Sequence, residues 1–147
     1  MTVCHTTGGF FYFIGGNFMR QLIFEIPLDP VPLARPKFSH GRAYLPPRSR
    51  SYRAAVQDVV NQLMKSRNLE PFTGELICRL KFFRKFKPTT RNFGDIDNHV
   101  KAILDALQGL LFVDDRQIVS IAAQKLKDTD RPRTQISFTA NKGDDYC

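Results

Sequence analysis

Residues Gly94 to Gly109, GDIDNHVKAILDALQG, carry the most informative pattern in this sequence. The apolar residues of this stretch recur at helical spacing and form one stripe that faces a core: Val100, Ile103, Leu104 and Leu107. Asp97 or Asn98 is placed to cap this helix, and Gly109 is placed to end it. The stretch therefore predicts an amphipathic helix at a D-x-D pair, Asp95 and Asp97.

Short apolar runs and helical patterns alternate outward from this helix. The predicted elements are a strand at 22–26, a two-armed ribbon at 34–45, a helix at 51–67, a strand at 76–83, the helix at the D-x-D pair, and strands at 118–126 and 134–138. Two helices would then pack on one face of a mixed sheet of about four strands. The sequence predicts a single α+β domain.

The two ends of the chain differ from this middle part. The apolar run at 10–14 is too short for a transmembrane helix, and no basic region marks a signal peptide. Met19 opens a stretch, MRQLIFEI, that is typical of a natural protein start. We expect residues 1–18 to be an N-terminal extension outside the domain, residues 19–140 to be the domain, and residues 141–147 to be a frayed tail.

Positive charge is concentrated in the first half of the domain. The chain carries a formal net charge of +8 and has a pI of about 9.7. Between Pro32 and Gly94 there are fourteen basic residues and three acids, a local excess of +11. This excess indicates a bound polyanion, although a merely soluble basic protein would also show it.

Ten basic residues of this region are candidates for contacts with DNA. Three lie on the ribbon at 34–45, here named the basic ribbon; three crowd the first turn of the helix at 51–67; four lie on or after the strand at 76–83. In that order they are Arg35, Lys37, Arg42, Arg48, Arg50, Arg53, Lys81, Arg84, Lys85 and Lys87. Cations in a first helical turn oppose the helix dipole, which indicates an anionic ligand there.

Several other side chains have less decisive patterns. Phe82, Phe83 and Phe86 stand among these cations, where aromatic rings can stack on bases; we expect Phe82 to be a core residue and leave the other two open. His99, in a first helical turn, is expected to be exposed. The three scattered cysteines show no disulfide or zinc spacing, so a reducing, cytoplasmic setting is the default expectation.

A second pair of acids, Asp114 and Asp115, follows the helix and precedes a strand. Carboxylate oxygens suit Mg²⁺, and a lysine such as Lys101 can stabilise charge on a phosphate under attack. Acids in these positions also serve as caps or solvated turns, so both interpretations stay open here. The helix would span about 16 Å, so the chain must fold back to bring Asp115 near Asp97, or a partner subunit must supply it.

Taken together, these motifs resemble the RusA family of Holliday junction resolvases. The resemblance rests on GDIDN at 94–98, Lys101, DAL at 105–107 and FVDDRQIV at 112–119. It implies a Mg²⁺-dependent homodimer, with Mn²⁺ as a possible substitute, that nicks paired strands of branched DNA. It also implies Asp95, Asp97 and Asp115 as metal ligands, Lys101 as the catalytic lysine and Asp114 as a supporting acid, in a bacterial or phage-encoded protein.

One residue departs from the family pattern, and two other functions compete with this one. Arg116 adds a positive charge directly after the two acids, where a small polar residue is more usual. A non-catalytic DNA-binding module would share the charge and the aromatic residues but would use its acids only as caps. A phosphatase of small esters can carry a D-x-D pair but would not need the basic region.

Overall fold

The computed structural model describes the backbone of residues 3–6, 9–14, 17–85 and 94–142, and the side chains of residues 20–85 and 94–140. Lys87 and Phe86, both candidates for contacts with nucleic acid, lie outside the described residues. The elements are β1 Val3–Thr6, β2 Gly9–Ile14, β3 Asn17–Ile26, β4 Lys37–Ser39, β5 Arg42–Tyr44, α1 Pro47–Arg67, β6 Leu76–Arg84, α2 Ile96–Leu107, a 3₁₀ turn Asp115–Gln117, β7 Ile118–Lys127 and β8 Arg133–Lys142.

Six of these strands form one mixed sheet in the order β1-β2-β3-β8-β6-β7. All of its neighbours pair antiparallel except β6 and β7, which are parallel. The four strands β3, β8, β6 and β7 are those that the sequence pattern predicts, and the α+β prediction is confirmed. Strands β1 and β2 add to the outer edge of β3 and come from the segment at 1–18.

Alternation along the strands places one face of the sheet against both helices. In β6 the even-numbered residues Leu76, Cys78, Leu80 and Phe82 are buried, whereas the odd-numbered ones face solvent in most positions. Helix α1 contributes Tyr52, Val56 and Val60 to the core, and β8 contributes Ile136, Phe138 and Ala140. The burial of Phe82 confirms that it is a core residue.

Burial also raises the pKa of the Cys78 thiol to about 12, so this thiol stays protonated.

The parallel pair β6–β7 needs a crossover connection, and that connection contains α2. The chain leaves the carboxyl end of β6 at Arg84 and re-enters the described region at Gly94. It then runs through α2 and reaches the amino end of β7 at Ile118. The two ends of α2 therefore lie at opposite ends of the β6–β7 pair, which decides where each group of acids can stand.

We predict that residues 1–18 can be removed without unfolding the domain. In the described sheet β1 pairs only with β2, and the register between Met19–Ile26 of β3 and β8 does not involve them. The shortened chain should melt within about 4 °C of the full chain, which for a domain of this size is about 1 kcal/mol. Circular dichroism on both proteins measures this shift. A shortened chain that no longer folds would show that the extension belongs to the domain.

Candidate active site

The D-x-D pair stands at the amino-terminal end of α2. Asp95 is the N-cap residue, with φ −73° and ψ 147°, and its side chain makes no capping hydrogen bond. Asp97 lies in the first helical turn, where its Oδ1 accepts a hydrogen bond of 2.9 Å from the backbone N–H of Asn98. Both side chains are exposed. The prediction that Asp97 or Asn98 caps the helix is wrong because the helix begins earlier, and two carboxylates remain open to a cation.

A tightly packed turn at Gly94 fixes the backbone before the pair. Gly94 has φ +71°, and a Cβ atom there would lie 2.8 Å from Cγ of Pro32. Its carbonyl oxygen accepts a hydrogen bond of 2.9 Å from Nζ of Lys125, which lies near the carboxyl end of β7. Only glycine adopts this conformation without strain or collision. The turn thus joins the D-x-D pair to the end of the edge strand.

His99 lies beneath this turn and is 1% exposed, so the expectation of an exposed histidine is wrong. Its ring lies 5.2 Å, centre to centre, from that of Phe82. The signal was present in the sequence, since His99 precedes Ala102, Ile103 and Ala106 by three, four and seven residues and so shares their helical stripe. His99 supports the turn and does not face the solvent side of the site.

Lys101 follows Asp97 by four residues on α2 and is exposed. Residues at this spacing are neighbours on the surface of a helix. The structure therefore brings three of the predicted site residues together at one end of α2: Asp95, Asp97 and Lys101. Lys125 joins them through its hydrogen bond to the carbonyl oxygen of Gly94.

The second pair of acids stands at the other end of α2, in a loop that one glutamine holds. Gln117 accepts hydrogen bonds from the backbone N–H groups of Val113 and Asp114, at 2.9 and 3.1 Å. Its amide nitrogen donates to the carbonyl oxygens of Phe72 and Gly74, both at 3.0 Å. This role of Gln117 was not predicted from the sequence, although the D-x-x-Q spacing of its capping box with Asp114 is visible there.

The side chain of Asp114 makes its hydrogen bonds within this loop. It caps the 3₁₀ turn by accepting the backbone N–H of Arg116 at 2.9 Å, and its carboxylate pairs with the Arg116 guanidinium at 2.8 Å. These contacts, the side-chain hydrogen bond first, hold the pKa of Asp114 well below its usual range. The extra positive charge of Arg116 is thus balanced by Asp114, which leaves the exposed Asp115 as the acid open to a ligand.

A single chain keeps Asp115 far from the D-x-D pair. Helix α2 has twelve residues, which makes it about 18 Å long. The chain after it stays at that end of the sheet, because Phe72, just before the start of β6, donates its N–H to the carbonyl oxygen of Leu111 at 2.7 Å and bridges to Phe112. Seven residues of β7, about 23 Å, separate Ile118, just after Asp115, from Lys125, which contacts Gly94. Within the described residues, no three histidines, cysteines or acids are grouped to hold a metal ion.

The nine candidate DNA-binding cations that the structure describes do not all lie on one surface. The exposed residues of the ribbon and of the first turn of α1 form one group: Arg35, Lys37, Arg42, Arg48 and Arg50. Arg84 and Lys85 end β6 at the same end of the sheet as Gly94. Arg53 pairs with Asp105 of α2 at 3.5 Å, so it also helps hold the two helices together. Lys81 points from the solvent face of the sheet, away from the helices.

The fold is an α+β domain, and the candidate site places exposed acids beside a basic surface. These features are typical of a protein that acts on nucleic acid. The family model for the endodeoxyribonuclease RusA matches residues 27–139. The chain belongs to the RusA endodeoxyribonuclease family, and the resemblance seen in its motifs is confirmed. No protein of curated function matches the chain in sequence. No helix among the described residues is long and apolar enough to cross a membrane.

We predict that Gly94→Ala destabilises the domain more than Gly109→Ala does. Both glycines have positive φ, +71° and +84°, but a Cβ at Gly109 meets nothing within 4 Å. Gly109→Ala therefore measures the conformational strain alone, about 1–2 kcal/mol. The collision with Pro32 should add roughly 1–3 kcal/mol at Gly94. Urea unfolding measures both losses, and equal values would contradict the packing of the turn.

Proposed function

We propose that this protein is a metal-dependent nuclease that resolves Holliday junctions by paired nicks, in DNA recombination and repair. The observation that carries the proposal is the open D-x-D pair at Gly94, with Lys101 one helical turn away, in a chain of the RusA family. The basic ribbon, the start of α1 and the end of β6 surround this end of the molecule with cations. A phosphodiester held there would meet carboxylates and ammonium groups together.

The chemistry assigned to each residue follows from its exposure and type. Asp95, Asp97 and Asp115 are the ligands we assign to Mg²⁺, with Mn²⁺ as a substitute, because they are exposed hard-oxygen donors. When bound, such an ion supplies an activated water and neutralises charge on the phosphate. Lys101 stabilises the negative charge that develops on the phosphate or on the leaving oxygen. Asp114 supports the site indirectly, because it holds the Asp115 loop and balances Arg116.

The distance between the two groups of acids supports a homodimer with composite sites. Strand β7 is an edge strand of the sheet, and two of its side chains, Val119 and Ile121, are 56% and 48% exposed. An antiparallel pair of β7 strands around a two-fold axis would place the start of one strand beside the end of the other. Asp115 of the partner subunit would then approach Lys125, Gly94 and the D-x-D pair. Each dimer would carry two such sites for two strands.

Cleavage of a labelled four-way junction tests the proposed nuclease function. The natural protein should nick it in paired positions when Mg²⁺ is present, and should spare a matched linear duplex. EDTA or Asp97→Asn should abolish nicking, whereas Asp58→Asn, an exposed acid on α1, should not. Sequencing gels locate the nicks. If the junction is bound but never cut with any divalent metal, the non-catalytic binding module replaces this proposal.

A mixture of two inactive variants tests whether Asp97 of one subunit and Asp115 of its partner form one site. Asp97→Asn and Asp115→Asn should each be inactive alone, because each homodimer loses both sites. A mixed dimer of the two variants has one intact composite site, since the subunit with native Asp97 meets the partner's native Asp115. We expect mixing to restore nicking to about one quarter of the natural rate, given half mixed dimers with one site each.

If the acids act within one chain, the mixture stays inactive, because each subunit then carries one defect in its own site. Co-expression with two different tags allows the mixed dimer to be purified and assayed by itself. A third mixture, of Asp97→Asn with Asp95→Asn, serves as the control. Both of its defects fall in the D-x-D pair, so it should remain inactive in either arrangement.

A further inference from the structure

The basic ribbon carries an aromatic ring that no part of the fold covers. Strands β4 and β5 form their own two-stranded sheet, joined by His40 and Gly41, both with positive φ. That turn geometry matches the twist of a tight hairpin. Phe38 is 77% exposed, the highest fraction among the large apolar side chains that the structure describes.

The pairing register separates this ring from the cations of the ribbon. Phe38 lies opposite Ala43, and Lys37 lies opposite Tyr44. Residues opposite each other in an antiparallel pair share a face, so Phe38 shares its face with a methyl group that cannot cover it. Lys37, Arg42 and Tyr44 fall on the other face. The ribbon thus has one face suited to a phosphate backbone and one face that presents a bare ring.

The ribbon is rooted at the candidate active site. The backbone N–H of Leu33 donates to the carbonyl oxygen of Asn98 at 3.0 Å, one residue after Asp97. The N–H of Ala34 donates to Oγ of Ser49, at the start of α1, at 3.3 Å. Four residues then lead to Phe38, a reach of up to about 13 Å. This reach corresponds to about four base steps along a DNA strand.

The rings of Phe72, Phe82 and Phe83, which the structure describes, already pack against other protein groups. Phe82 is buried, and the ring of Phe83 lies 3.8 Å from the guanidinium carbon of Arg133. The ring of Phe72 is likewise buried and lies 4.2 Å from the guanidinium carbon of Arg20. Among the described aromatic residues, Phe38 therefore offers the most open ring for a stacked base.

We propose that Phe38 stacks on a base at the branch point of a junction, and so selects opened or branched DNA over an intact duplex. This inference rests on the proposed nuclease function. Bases at a branch point are the ones that can unstack, and an aromatic ring binds them with little dependence on sequence. An inserted apolar side chain also holds open the base step that it enters. Phe38 would be a specificity-determining residue placed a few base steps from the cut.

A fluorescent substitution tests the contact directly. The chain contains no tryptophan, so Phe38→Trp introduces a single reporter at the ribbon. Its emission should be quenched on binding a four-way junction in EDTA, and less on binding a linear duplex. Ile23→Trp, at a side chain 60% exposed on the solvent face of the sheet, is the matched control and should respond equally to both DNAs. Equal quenching of the Phe38→Trp protein by junction and duplex would overturn the proposal.

A rescue experiment separates stacking from folding. Phe38→Ala should lower the rate of cleavage of a fully paired junction about tenfold or more, the loss of about one stacked base. A junction with mismatched pairs at its branch point is already open, and on it Phe38→Ala should cut at nearly the natural rate. Phe38→Tyr should retain cleavage of both junctions. Natural rates for Phe38→Ala on the paired junction would overturn the proposal.

Two further outcomes are distinguishable. If the natural protein cuts no junction, the nuclease function fails, but the quenching measurement in EDTA still reports whether the ring meets a base. If Phe38→Ala instead turns a dimer into a monomer by sedimentation, the ring contacts a second copy of the chain and the proposal is wrong.

Discussion

The parallel pairing of β6 with β7 is the constraint on which the rest of the structure depends. Two parallel strands cannot be joined by a tight turn, so the chain must travel back along the pair, and α2 covers much of that distance. The apolar stripe of α2 packs on the sheet, which fixes its direction. One group of acids then begins the crossover and the other ends it. The separation of Asp97 and Asp115 is a consequence of topology, and it is the reason for proposing that a second subunit completes the site.

The turn at Gly94 fixes the position of the D-x-D pair at one end of this crossover. It is held by contacts from three sides: Pro32 packs against it, His99 lies beneath it, and Lys125 donates to its carbonyl oxygen. Because these contacts come from separate parts of the chain, the D-x-D pair stands on a rigid base while its carboxylates face solvent. The Asp115 loop has an equivalent support in Gln117, whose amide uses both its oxygen and its nitrogen. Each group of acids is therefore held by its own local contacts. In the proposed dimer, the two groups would come together only when two subunits associate.

The charge of the surface is divided in a way that fits handling of a polyanion. Cations of the ribbon, of α1 and of the end of β6 surround one end of α2, whereas Asp114 balances Arg116 at the other end. The ribbon adds an open ring to this surface, rooted beside Asn98. A phosphate backbone would thus be gripped by charge along its length. Under the two proposals, the acids would act on a phosphodiester of that backbone and the ring of Phe38 would stack on a base.

The class of fold, the helix at the D-x-D pair, the alternation of β6 and the family could be predicted from the sequence, because these depend on periodicity and on residues close together in the chain. The tertiary structure decided what depends on distant contacts. Helix α2 begins at Ile96, which buries His99 and frees Asp95 from capping. Strand order puts the acids at opposite ends, and Asp105 holds Arg53 across the helix interface. Local patterns say which face of an element is apolar, but only packing decides which ends of the elements meet.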